Sequence, residues 1–86
     1  MLKLCSGIST ADVEYGTALL DEDRGMYWNL NPTGALILRT LLDGGTVEQA
    51  VRALTDEYEV NRDSARRDVE ELVRDLCSAE LVEQSE

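Results

Sequence analysis

The chain has 86 residues, 43% of them hydrophobic, and carries a formal charge of −10 from eighteen acidic and eight basic residues. That length makes one domain with a small core, and that charge repels DNA and anionic membranes, which both draw on cationic groups. There is no histidine, the two cysteines are far apart, and no apolar run nears the roughly 18 residues of a membrane span, so Cys-His and Ser-His pairs are absent and neither zinc nor a transmembrane helix is expected.

Met1-Leu2-Lys3-Leu4-Cys5 is too short for a secretory signal, and the chain reads as cytoplasmic, with its thiols reduced. Residues 1–7 show no clear period and read as a frayed end or a short strand. Ile8–Val13 alternates weakly with β-branched residues and reads as a strand, with Glu14-Tyr15-Gly16 as its turn. Thr17–Glu22 is the second strand. Asp23-Arg24-Gly25 then fits a three-residue hairpin loop with Gly25 at positive φ. That loop predicts the pairs Glu22 with Met26, Leu20 with Trp28 and Ala18 with Leu30. Met26, Trp28 and Leu30 would then face one way, and Tyr27 and Asn29 the other.

The third strand runs straight into a helix start. Asn31 suits the N-cap and Pro32 the first helical position, where its missing N–H costs nothing. Ala35, Leu38, Leu41 and Leu42 make an apolar stripe to Leu42, and Gly44-Gly45 permits a left-handed stop. Thr46 to Gln49 is a capping box opening a second helix to about Tyr58, with Glu48 and Arg52 as an i,i+4 pair. Asn61 to Ser64 offers caps for a third helix to about Ser78, with Ala65, Val69, Leu72, Val73 and Leu76 on its apolar face. Leu81 and Val82 tuck under the core, and residues 83–86 read as a disordered tail. The expected fold is α+β: a winged helix–turn–helix-like single domain over 1–86, ordered over about 8–82, with a three-stranded antiparallel sheet followed by three helices.

Three strands leave two sheet edges, and Met26–Leu30 carries none of the lysine, proline or bulge that usually blunts one. Such an edge suits an extended peptide, bound through its backbone and selected through alternate side chains. The third helix does not suit DNA: Arg62, Arg66, Arg67 and Arg74 are outnumbered by Asp63, Asp68, Glu70, Glu71, Asp75 and the following Glu80. No phosphate-binding glycine loop is present and the carboxylates show no pairing beyond chance, so the chain reads as non-enzymatic, with no cofactor and no metal. Two binding readings stand: a peptide-capturing module, or an acidic winged-helix regulator that binds another protein.

Leu19-Leu20-Asp21, the run Gly25-Met26-Tyr27-Trp28-Asn29-Leu30-Asn31-Pro32-Thr33-Gly34-Ala35, Asp43-Gly44, Asp68–Leu72 and Ala79–Val82 together resemble the PqqD-like family. The likeness is nearest to the stand-alone leader-recognition proteins of lasso peptide biosynthesis. It implies a module, the RiPP recognition element, that captures the leader segment of a ribosomally made precursor peptide. The leader adds as a strand beside the third strand and packs on the third helix. The module presents the precursor to a separate cysteine-protease-like leader peptidase, and a cyclase closes the ring. Carried onto this chain, the resemblance implies a peptide site of Met26, Tyr27, Trp28, Asn29 and Leu30 with Asp68, Val69, Leu72, Asp75 and Leu76. On a helical wheel Asp68, Leu72, Asp75 and Ala79 share one flank of the Val69–Leu76 stripe; which flank faces the groove stays open.

Overall fold

The computed structural model describes residues 2–84, in the order β1 (Leu2–Leu4), β2 (Ile8–Val13), β3 (Gly16–Asp21), β4 (Met26–Leu30), α1 (Pro32–Leu42), α2 (Val47–Glu57), α3 (Arg62–Ser78) and β5 (Val82–Gln84). β2, β3 and β4 form an antiparallel sheet in that order, with the three helices after it, the winged helix–turn–helix-like α+β arrangement that the sequence predicts. Each helix is opened by a side chain that accepts an otherwise unpaired amide. Gly34 N–H donates to Asn31 Oδ1 at 2.8 Å, Gln49 N–H to Thr46 Oγ1 at 3.1 Å, and Ser64 N–H to Asn61 Oδ1 at 2.8 Å. Each such cap contributes about 1 kcal/mol. The box at α2 is complete, because Gln49 Oε1 accepts the Thr46 N–H at 2.8 Å. Leu19, Leu38, Leu41, Val51, Leu54, Val69 and Leu76 meet in one core between sheet and helices.

Four sequence expectations change. The β3–β4 loop has four residues, Glu22 to Gly25, so the pairs are Asp21 with Met26, Leu19 with Trp28 and Thr17 with Leu30. The cause is Asp21: its buried carboxylate accepts the Arg24 N–H at 3.1 Å and closes the longer turn, with Gly25 at φ 66°. A slip of one residue turns a strand over. Leu19, not Leu20, therefore shares the core face with Trp28. The turn before β3 also shortens, to Glu14 and Tyr15, and Gly16 already pairs with Val13.

Glu48 does not pair with Arg52; it forms ion pairs with Arg62 and Arg66 of α3 and so ties α2 to α3. Lastly, order reaches beyond 8–82. β1 pairs antiparallel with β5 (Leu2 with Gln84, Leu4 with Val82), and Leu2 and Val82 are buried. Glu83 and Gln84 are thus strand rather than tail, while residues 1, 85 and 86 lie outside the described ones.

Candidate functional site

β4 follows directly from local sequence. Gly25 supplies the turn, Asn31 stops the strand by capping α1, and five residues lie between. Among the described residues β4 is paired to β3 alone, so its other edge offers free backbone N–H and C=O groups. Trp28 and Leu30 are half-buried against the core, whereas Met26, Tyr27 and Asn29 are exposed, Tyr27 by 65%. The strand thus offers an apolar side toward the helices and a phenol on the opposite face.

The residues expected on α3 divide into two sets. Val69 is 0% exposed and Leu76 is also buried, so both support the helix from within and present no surface. Leu72 is half-buried, and Asp68 and Asp75 are exposed beside it. At 100° per residue these three and Ala79 lie on one flank of α3. The other flank is tied to α2 by its arginines. Arg62 and Arg66 hold Glu48 of α2, while Val73 and Cys77 line an open cleft with Val47 of α2 and Gln84 of β5. α3 packs mainly on α2, α1 and β5, and β4 on β3 and α1. α1 is thus the support that β4 and α3 share.

A link that the sequence does not announce joins the loop before β4 to the end of α3. Arg24, in the β3–β4 loop, donates from Nη2 to Glu80 Oε2 at 2.6 Å, while its Nε lies 3.6 Å from Asp21 Oδ2. The hydrogen bond to Glu80, then the charges of Glu80 and Asp21, raise the pKa of the guanidinium. Glu80 sits just past the end of α3 at φ 59°. There its N–H donates to Cys77 O and that of Leu81 to Leu76 O, closing a Schellman cap without glycine. The partners are 56 residues apart, and only the folded chain brings them together.

The cysteines are both half-buried free thiols. They line one cleft at the β5 end of α3, where burial first, then Glu83 and Cys77, raise the pKa of Cys5 and keep it a neutral thiol. Among the described residues no group of cysteine, aspartate and glutamate is arranged to hold a metal ion, and no helix is long and apolar enough to cross a membrane.

The family model for coenzyme PQQ synthesis protein D (PqqD) matches residues 16–82. Two solved structures share the fold over nearly their whole length. Lasso peptide synthetase B1 complexed with the leader peptide is 42% identical, with a TM-score of 0.90 over 96% of this chain and 98% of that one. TbiB1 in complex with the TbiA(beta) leader peptide is 30% identical, with a TM-score of 0.84 over 98% of both chains. No curated protein sequence matches the chain.

Proposed function

The chain belongs to the PqqD family, and from that premise we propose that it is a non-catalytic module that captures the leader segment of a precursor peptide. The carrying observation is that β4 has a free edge in a fold shared with two proteins solved with leader peptides. The leader adds as a strand to β4. Its backbone bonds give affinity, and alternate side chains enter the apolar groove between Trp28 and Leu30 on one side and α3 on the other. The α3 flank that faces it is the one carrying Asp68, Leu72 and Asp75, a choice supported by the opposite flank's Arg62 and Arg66 being engaged with Glu48 of α2. Tyr27 offers its hydroxyl to a polar leader group from the outer face.

Cleavage belongs to another protein. A chain without histidine has no Cys-His or Ser-His pair to cut a peptide bond. The module therefore delivers the precursor to a separate cysteine-protease-like leader peptidase, and a cyclase acts on the released segment. Titration with the leader of the cognate precursor, followed by Trp28 fluorescence and amide shifts, tests the reading. Shifts should concentrate at Met26–Leu30 and along α3. Leu72→Ala should weaken binding roughly tenfold, the loss of about 1.4 kcal/mol expected for truncating a groove residue. An unchanged affinity in the folded variant would remove the assignment of this flank.

A further inference from the structure

Among the described residues the sheet has a second free edge, β2, and a cavity of about 600 Å3 opens beneath it. Thr10 and Asp12, paired with Leu19 and Thr17, point to the core face and form one wall. Leu36 and Leu42 of α1, both half-buried, form the floor, and Tyr58 closes the end below α2. The rim carries four carboxylates, Asp12, Glu14, Asp43 and Glu57, against one cation, Arg39. β2 has no lysine or proline along its length, and Tyr15 in the turn after it is 75% exposed.

We propose that β2 is a second strand-docking edge, which takes an extended cationic segment of a partner protein. A strand added there directs every second side chain over the core face and into the cavity. Lysine or arginine stems would lie along Leu36, Leu42 and Tyr58, with their charged heads among the rim carboxylates. A second copy of this chain fits poorly, since pairing two β2 edges brings together two chains of charge −10. β2 and β4 are opposite edges of one sheet, so occupation of either leaves the other free. The β2 edge and its cavity share no residue with the leader groove.

The test is an amide-shift titration with an octapeptide of alternating lysine and valine, run beside its glutamate–valine counterpart. The lysine peptide should shift Thr10–Val13 and the Leu36–Leu42 stretch of α1, and the glutamate peptide should not. Asp12→Lys with Glu57→Lys should weaken binding roughly tenfold, while Glu70→Lys with Glu71→Lys, the same change in charge on α3, should weaken it by less than about threefold. Unchanged amide spectra away from the substitutions establish that the variants fold. Equal losses in the two variants would reduce the effect to diffuse attraction and overturn the site. So would shifts centred on β4, or none at β2 with millimolar peptide. A dimer in sedimentation velocity that is lost on substituting Asp12 would assign the edge to a second copy and overturn the partner.

Discussion

Gly16 and Gly25 both hold positive φ, at 143° and 66°, but their surroundings differ. A Cβ on Gly16 would stand 1.8 Å from the carbonyl oxygen of Leu30, where β3 and β4 meet, whereas one on Gly25 would meet nothing within 4 Å. Gly25→Ala should therefore cost only the left-handed backbone, about 1–2 kcal/mol. Gly16→Ala should cost at least about 3 kcal/mol, because strand β4 must also move. Urea unfolding of the two variants orders them, and similar losses would mean that the β3–β4 contact yields easily. Glu80 poses the opposite problem, a non-glycine residue at φ 59°. Glu80→Gly relieves the backbone and loses an exposed ion pair with Arg24, while Glu80→Ala loses the pair and keeps the strain. The glycine variant should thus be the more stable by about 1 kcal/mol in thermal unfolding; the reverse order would make the left-handed turn unstrained.

The two ends of the chain make one element, and it bears weight. Leu2 is buried in the main core, and β1 lies against both β5 and α1. Leu2→Ala should destabilise by about 2 kcal/mol, the low end for a buried leucine because a terminal strand can settle into the space. A loss below a few tenths in urea unfolding would return residues 2–4 to the status of a frayed end. This pairing is not legible in the sequence: each strand has three residues, and almost the whole chain separates them. The helices are legible because caps are local, and Asn31, Thr46 and Asn61 each answer an amide three residues away. β4 is legible for the same reason, bounded by its turn glycine and its cap. The register beside it is not, because one buried carboxylate, Asp21, decides between loops of three and four residues. The side of α3 that meets α2 is equally hidden, since it depends on Glu48 choosing Arg62 and Arg66 across the helix pair over Arg52 on its own helix.

Across the whole molecule, repulsion among like charges opposes the compact state, and few ion pairs offset it. Eighteen acidic residues face eight basic ones. Apart from Asp21, every ion-paired side chain among the described residues is at least 38% exposed, and pairs of that kind contribute about 0–1 kcal/mol each. Salt screens both the pairs and the repulsion, but the repulsion sums over a net charge of −10. Raising sodium chloride from about 20 mM to about 500 mM should therefore increase the unfolding temperature, with most of the gain below about 150 mM, where the Debye length shortens to about 8 Å. Each kcal/mol recovered should appear as about 4–8 °C in a domain of this size. A falling midpoint over the same range would mean that the ion pairs, above all the Glu48 fork between α2 and α3, outweigh the repulsion, and that the acidic surface costs the fold little.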